Sequence, residues 1–172
     1  MIRIGINGRV LTKPSPGGVG RYTRRLLAEL AADGGDAYEC SPVAVGAEGA
    51  SNLPNGVEAT GTVPIHSGLR AHLWEQLRLP RILTSEKYDV FHTPAGQPPV
   101  LSMTPLVTTI HDISPITHPE WFSDAYVALY RVLTPLAVRA SDRIITVSEF
   151  ARDEIVDVYP AAAGKTTAIY NG

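Results

Sequence analysis

The sequence predicts an α/β domain in which helices cover both faces of a parallel sheet. Two observations support this prediction. Short runs rich in β-branched residues recur along the chain, and segments with a helical spacing of apolar residues separate several of them. This alternation is typical of parallel sheets, because each parallel connection has to cross from one end of the sheet to the other. With 172 residues, 44% of them apolar, the chain is long enough for one compact domain.

The strand-like runs predict seven strands. The first, at residues 1–7, carries isoleucine at alternate positions and ends at Asn7-Gly8. A stretch rich in proline and glycine follows it, which predicts a loop up to Gly18. The other strands are predicted at residues 38–45, 57–63, 88–92, 106–110, 143–147 and 166–170.

Four segments are predicted as helices. In the first, which runs from Val19 to the Gly34-Gly35 pair, apolar residues recur at spacings of three and four. The others are predicted at residues 69–84, 121–139 and 149–158. Pro80 should kink or split the second helix and Pro135 should disturb the third, because proline lacks the amide hydrogen that a helix needs. Residues 46–56, rich in Gly, Ala and Asn, are predicted as a surface loop.

Charge and cysteine content exclude several classes of protein. The formal net charge is −2, so the chain has no overall basic field of the kind that binds nucleic acid. Cys40 is the only cysteine, which excludes an intramolecular disulfide and a cysteine-rich metal site. The N-terminus has the pattern of a strand rather than of a signal peptide, and no apolar run approaches the ~18 residues of a transmembrane helix. These features predict a cytoplasmic protein.

A glycine-rich turn at residues 17–20 opens the first helix and is the first candidate site. Gly17 and Gly18 would let a ligand approach the backbone, and free amide groups at a helix start favour a phosphate or carboxylate. The alternative is that the glycines only shape a tight turn. A nicotinamide or flavin site is disfavoured, because Thr23 replaces the third glycine of the dinucleotide fingerprint and residues 41–46 contain no acid.

Positive charge is concentrated near this turn. Residues 1–28 contain no acidic residue and six cations, namely Arg3, Arg9, Lys13, Arg21, Arg24 and Arg25. Such a cluster suits a phosphorylated ligand or peripheral contact with an anionic membrane. Arg9 and Arg21 are the preferred candidates, whereas a solvated helix face explains Arg24 and Arg25 at least as well.

The segment after the fifth predicted strand is the second candidate site. His111 is expected to hydrogen-bond a sugar or its phosphate, because ligands bind beyond the carboxyl ends of parallel strands. Asp112 is a further candidate, although its carboxylate could simply cap the following turn. Ser148 is predicted to cap the last helix. His92 and His118 lie 19 and 7 residues from His111, which does not match a zinc motif, and no metal is predicted.

Five segments taken together resemble the amino-terminal half of family 4 glycosyltransferases. They are GGVGRY at 17–22, WEQLRLP at 74–80, YDVFH at 88–92, TIHD at 109–112 and DRIITVSEF at 142–150, and the ending IYNG at 169–172 resembles the segment that leads into that family's second domain. The resemblance implies the two-domain GT-B fold, with residues 1–172 as its single Rossmann-like, acceptor-side domain. A C-terminal domain, absent here, would bind the nucleotide-sugar.

The resemblance also implies a reaction and roles for individual residues. The expected reaction transfers a hexosyl group, with retention of its anomeric configuration, to a saccharide, lipid-linked or natural-product acceptor. The segments WEQLRLP and HPEWF resemble those of members that transfer mannose or related sugars, which favours a mannosyl-like group. The backbone at Gly18 would approach the donor diphosphate. His111 would contact the transferred sugar or the acceptor and stabilise charge. No cofactor or metal is expected, since the nucleotide-sugar is a co-substrate.

Independent activity is not expected of this chain. Family members use a glutamate pair, E-x7-E, in the second domain, and no two glutamates here lie eight residues apart. The alternative hypothesis is a stand-alone module that binds a carbohydrate or a phosphorylated ligand without catalysis.

Overall fold

A computed structural model describes residues 1–12, 17–33, 36–55, 57–62 and 69–171 of the chain. Its centre is a sheet of seven strands in the order β3-β2-β1-β4-β5-β6-β7, and every neighbouring pair is parallel. The strands are β1 (Ile2–Asn7), β2 (Tyr38–Val45), β3 (Thr60–Thr62), β4 (Val90–Thr93), β5 (Leu106–Thr109), β6 (Arg143–Thr146) and β7 (Thr166–Ala168). The predicted parallel α/β sheet is therefore confirmed.

Six α-helices connect these strands in the described part of the chain. They are α1 (Gly17–Asp33), α2 (Leu69–Leu77), α3 (Leu79–Ser85), α4 (Ser114–Thr117), α5 (Asp124–Ala140) and α6 (Glu149–Val158). Short 3₁₀ helices lie at Arg9–Thr12, Ala47–Asn52, Pro119–Trp121 and Pro160–Ala162. None of the helices described is both long and apolar enough to cross a membrane.

The side chains of β1 show how the two faces of the sheet are covered. Ile4 and Ile6 pack in one apolar cluster with Leu27 of α1. Gly5 points to the opposite face, where an added Cβ would lie 3.1 Å from the ring of Phe91. The side chain of Phe91 is fully buried in a second cluster that includes two leucines of α3. Helices α1 and α3 therefore lie on opposite faces, because neighbouring side chains of a strand alternate.

The second face also carries α5 and α6. Leu106 of β5 belongs to the same cluster as Phe91, so Thr108, two residues further on, points to the same side. Ile144 pairs in register with Thr108 and packs against Val138 of α5 and Ile155 of α6. The prediction of helices on both faces is confirmed.

The order of the strands creates a crevice between β1 and β4. From β1 the chain runs to β2 and β3 on one side and then returns to β4 and its neighbours on the other side. Connections leave β1 and β4 in opposite directions, so the carboxyl ends of these two strands border an opening. Open parallel sheets bind ligands at such a point.

Two helix predictions had different outcomes. The split at Pro80 is confirmed, since α2 ends at Leu77 and Pro80 lies in the first turn of α3. The prediction that Pro135 disturbs the third helix is wrong, because α5 continues through it to Ala140. The same helix begins at Asp124 rather than at residue 121, since Ser123 has an extended backbone and residues 119–121 form a separate 3₁₀ turn.

The loop predicted at residues 46–56 is partly wrong. Residues Ala47–Asn52 form a 3₁₀ helix, and Gly49 is buried against Leu11 and Thr12. A Cβ at Gly49 would lie 2.9 Å from the Thr12 backbone, so this segment packs closely on the 3₁₀ turn that follows β1. The loop predicted at 13–16, the helix end at Gly34-Gly35 and the last residue of the strand predicted at 57–63 lie outside the described residues.

Candidate functional site

The candidate site lies at the carboxyl ends of β1, β4 and β5. These strands end at Asn7, Thr93 and Thr109, and all three side chains are buried. The Asn7 amide donates to the hydroxyl of Thr93 at 3.1 Å, which links the ends of β1 and β4 across the crevice. We call this region the strand-end crevice.

His111 follows β5 and is held in a defined orientation. Its Nε2 lies 3.0 Å from the carbonyl oxygen of Pro94, and the Tyr22 ring meets the imidazole edge-on at 4.9 Å between ring centres. Because a carbonyl oxygen only accepts, the proton is on Nε2. In the neutral ring Nδ1 keeps a free lone pair, and no described residue forms a hydrogen bond with it. The half-buried ring can therefore accept a hydrogen bond from a hydroxyl group.

A series of hydrogen-bonded side chains supports His111 through its contact with Tyr22. The hydroxyls of Tyr22 and Thr109 are 3.3 Å apart, and His92 Nε2 lies 2.8 Å from the Thr109 hydroxyl oxygen. Burial and the neighbouring His111 lower the pKa of His92 to about 4. His92 is therefore neutral near pH 7 and acts here as a structural hydrogen-bond partner. The spacing of the histidines raised His92 only as a metal ligand, and no local pattern singled out Tyr22 as a neighbour of His111.

Gly17 and Gly18 open α1 and have different backbone requirements. Gly17 has a φ of +65°, which favours glycine, whereas Gly18 does not have a positive φ. No atom of another described residue lies within 4 Å of the position that a Cβ would take at either residue. As far as the described residues go, the space above the first turn of α1 is therefore open, as the approach of a ligand to the backbone requires. The turn shape and this open space are both present, so both interpretations of the glycines remain.

Arg9 forms an ion pair with the buried carboxylate of Glu75, which no local sequence pattern predicted. Its Nε lies 2.8 Å from Oε1 of Glu75, and the Asn7 amide donates to the same oxygen at 2.9 Å. The Glu75 side chain is only 2% exposed, whereas that of Arg9 is 32% exposed. A charged residue on a predicted helix is expected to face solvent, so the sequence carries no local signal for this contact.

The other predicted residues occupy separate positions. Asp112 is exposed, and its Oδ1 accepts a hydrogen bond from the Ser114 amide at 2.9 Å, so it caps the turn as its alternative interpretation proposed. Arg21 does not join His111. It lies instead with Arg24 and Arg25 beside a cavity along α1. The predicted cap is confirmed, since the Ser148 hydroxyl accepts from Ala151 N at 3.1 Å.

Two further observations bear on the expected chemistry. In the described ranges, no three His, Cys, Asp or Glu side chains converge as a metal site would require. The expectation of a metal-free site stays a prediction. Burial raises the pKa of the Cys40 thiol to about 11, so this half-buried side chain is a poor nucleophile.

Curated relatives were found for most of the chain. Over 189 residues it is 28% identical to the glycogen synthase of Mycobacterium tuberculosis, in strain CDC 1551 / Oshkosh and in strain ATCC 25618 / H37Rv. The alignment covers 91% of this chain but only 44% of the relative. The chain therefore spans less than half the length of the curated relatives that it matches.

Solved structures share the fold over the whole chain. A glycosyltransferase from Rickettsia africae superposes with a TM-score of 0.60 at 15% identity, over 99% of this chain and 43% of the other. Anabaena HepE, solved with UDP and glucose, gives 0.57 at 22% identity, over 100% and 45% of the two chains. Acinetobacter baumannii MurG gives 0.53 at 12% identity, over 100% and 46%. These similarities show the fold.

The sequence pattern of one enzyme family extends over almost the entire chain. Residues 16–172 match the sequence model described as Glycosyltransferase Family 4. That range contains each of the five segments on which the resemblance rests, and it includes α1, His111 and every strand except β1. The chain belongs to Glycosyltransferase Family 4.

Proposed function

We propose that residues 1–172 form the acceptor-side, amino-terminal domain of a retaining glycosyltransferase. The enzyme would transfer a hexosyl group, mannosyl-like, from a nucleotide-sugar to a saccharide, lipid-linked or natural-product acceptor, without a metal or another cofactor. Family membership supports transfer. The length of the relatives supports a second domain, since this chain spans 44% of the glycogen synthase that it matches. That Anabaena HepE was solved with UDP and glucose supports a nucleotide-sugar donor.

The observation that carries the proposal is the fixed imidazole of His111 in the strand-end crevice. With Nε2 bound to the Pro94 carbonyl, Nδ1 is free to accept a hydrogen bond from a hydroxyl of the transferred sugar or the acceptor. Its ring is positioned before the substrate arrives, so little reorganisation is needed as charge develops in the transition state. His111 acts as an electrostatic and positioning group in this proposal and not as a nucleophile.

The glycine turn at the start of α1 has a complementary role. A diphosphate is large and doubly charged, and it can approach a helix start closely only where side chains are absent. The open space around Gly17 and Gly18 provides such an approach. We therefore assign the diphosphate of the donor to this turn and its sugar to the neighbourhood of His111.

Two variants of the natural full-length protein test these roles. We expect Gly18→Val and His111→Ala each to lower turnover about 100-fold or more, because each removes an interaction with the donor or the transferred sugar. The Cβ of a valine at residue 18 would meet no atom of another described residue, so loss of activity in a variant that keeps its unfolding free energy would report on the ligand and not on the fold. Initial rates with saturating substrate measure the effect.

A matched control separates the site from the cost of a β-branched residue in a helix. Ala32 is exposed in the last turn of α1, and Ala32→Val should leave turnover unchanged. Turnover close to wild type in both the Gly18 and His111 variants would refute the assignment of the site.

A cytoplasmic location and peripheral contact with anionic membranes are also proposed for the full-length enzyme.

A further inference from the structure

A cavity of about 420 Å³ lies along one side of α1. We call it the α1 cavity. Its described lining consists of Leu11, Gly17, Gly20, Arg21, Arg24, Arg25 and Asn52. Three guanidinium groups of one helix therefore line a space that has the size of a small-molecule site, roughly 300–1,000 Å³.

The α1 cavity and His111 lie on different sides of the helix. Gly20, Thr23 and Leu27 form the buried face of α1. At 100° per residue, Arg21 and Arg24 project to one side of that face, Arg25 points almost directly away from it, and Tyr22 projects to the other side. Since Tyr22 contacts the His111 ring and does not line the cavity, the arginines of the cavity and His111 lie on different sides of α1.

The arginines of the α1 cavity lack the partners that neutralise other cations in this part of the chain. Arg3 is paired with Glu39 and Arg9 with Glu75. Within the described ranges, no ion pair joins Arg21, Arg24 or Arg25 to a carboxylate. Three like charges close together repel each other, and an anion between them would remove that repulsion.

The shape of the α1 cavity favours a discrete ligand over a flat charged surface. Guanidinium groups form paired hydrogen bonds with phosphate oxygens, and groups from several directions can hold one phosphoryl group. Leu11 and Gly20, which also line the cavity, carry no charge, so the positive charge of the described lining comes from the three arginines. A volume of about 420 Å³ exceeds what a single phosphate needs.

We propose that the α1 cavity binds the phosphate or pyrophosphate group of a phosphorylated ligand, through Arg21, Arg24 and Arg25. This site adjoins the proposed donor-diphosphate turn at Gly17 but differs from it in using the arginine side chains of α1, and it does not depend on sugar transfer. The same chemistry could come from a soluble phosphorylated molecule or from a lipid headgroup, and the experiment distinguishes the two sources.

Isothermal titration of the natural full-length protein with inorganic pyrophosphate tests the proposal. We expect saturable binding, weakened about tenfold or more in Arg24→Gln/Arg25→Gln, because two charge-assisted contacts are lost. The control Arg131→Gln/Arg139→Gln removes the same charge from exposed positions of α5 and should bind like wild type. Absence of saturable binding, or equal weakening in both double variants, would overturn the proposal.

Vesicle sedimentation identifies the source of the phosphate. If phosphatidylcholine vesicles containing phosphatidylglycerol retain the wild-type protein, and pyrophosphate or the Arg24/Arg25 substitutions release it, the ligand is a lipid headgroup in the cavity. Pyrophosphate binding without such retention identifies a soluble ligand. Retention that pyrophosphate does not compete for, together with no pyrophosphate binding, would indicate diffuse surface attraction and refute a cavity site. The Gly18 and His111 variants report on transfer independently of these outcomes.

Discussion

At the scale of single residues, Glu75 has the most demanding environment in the strand-end crevice. Its carboxylate is buried, and Arg9 and Asn7 both donate to Oε1. The second oxygen, Oε2, has no hydrogen-bond partner in the described residues and lies 3.8 Å from His72 Nδ1. Burial and the nearby Arg9 lower the pKa of His72, while Glu75 raises it less. Arg9 is therefore the main counter-charge.

We predict that Glu75→Ala destabilises the protein by about 2–4 kcal/mol, because it leaves Asn7 and Arg9 without their shared acceptor. Glu75→Gln should cost less, since its amide oxygen can still accept both hydrogen bonds. Urea unfolding monitored by circular dichroism measures the difference. Glu58 is exposed, and Glu58→Ala serves as the control with little effect. Equal stability of Glu75→Ala and Glu58→Ala would contradict this account of the crevice.

His92 predicts a pH dependence of stability. Its pKa is about 4 in the folded protein and ~6.5 in an unfolded chain, so between these values the unfolded state binds more protons. The stability gained from neutral His92 is present above pH ~6.5 and is lost as the pH falls. The loss should reach about 3 kcal/mol near pH 4.

Urea midpoints measured at several pH values between 7 and 4.5 test this prediction, with the buffer range chosen around the titration of histidine at ~6.5. His92→Gln should flatten the decline in stability on the acid side, whatever its effect at pH 7. His118 is largely exposed, and His118→Gln should keep the wild-type slope. A His92→Gln variant that declines as steeply as wild type would show that other groups cause the acid sensitivity.

At the scale of elements, α6 and α5 provide a matched test of helix capping. Both begin after a serine with an extended backbone, but only the Ser148 side chain accepts a hydrogen bond from its helix. Ser148→Ala should therefore cost about 1 kcal/mol and Ser123→Ala much less. Thermal or urea unfolding of the two variants compares them directly. A larger loss for Ser123→Ala would be the opposite of what the geometry requires.

The first two residues of α1 provide a second comparison. Gly17→Ala should destabilise the protein by about 1 kcal/mol, because its φ of +65° is strained for alanine. Gly18→Ala should be neutral or stabilise by up to ~1 kcal/mol, since alanine is the better helix former and its Cβ meets no atom of another described residue. Unfolding free energies give the comparison. Equal effects would mean that the backbone at Gly17 relaxes.

Several elements were predictable because their signals are local. Alternating isoleucines predicted β1, the β-branched run after Arg143 predicted β6, and Pro80 marked the break between α2 and α3. Pro135 was misjudged, since a proline inside a helix removes one hydrogen bond while the packing of neighbouring residues can hold the helix together. Val138 of α5, three residues later, is buried in the core. Tertiary packing thus outweighs the local cost.

At the scale of the whole molecule, the position of the candidate site could be predicted from the sequence, but the contacts between its residues could not. Ligands bind beyond the carboxyl ends of parallel strands, so His111 could be selected from its place after β5. The contact of Asn7 with Glu75 joins residues 68 positions apart, and that of His92 with Thr109 joins two strands. Such contacts depend on strand order, which short sequence patterns do not encode.

The two functional hypotheses also differ at this scale. If transfer needs a second, nucleotide-sugar-binding domain, residues 1–172 alone should transfer no sugar from UDP-glucose or GDP-mannose, whereas the natural full-length protein should transfer sugar to a suitable acceptor. That expectation follows from the length of the relatives, of which this chain spans 44%. A radiolabelled transfer assay compares the two proteins at equal concentration.

The stand-alone binding module predicts a different pattern. Residues 1–172 would bind a carbohydrate in saturable fashion in calorimetry, and no longer form of the protein would transfer sugar. His111→Ala should weaken that binding. In either hypothesis, Nδ1 of His111 would accept a hydrogen bond from a hydroxyl group of the bound sugar, because Nε2 is already bound to the Pro94 carbonyl. Transfer by the full-length protein would exclude the module. Binding by the short chain that is insensitive to His111→Ala would mean that the strand-end crevice does not hold the sugar.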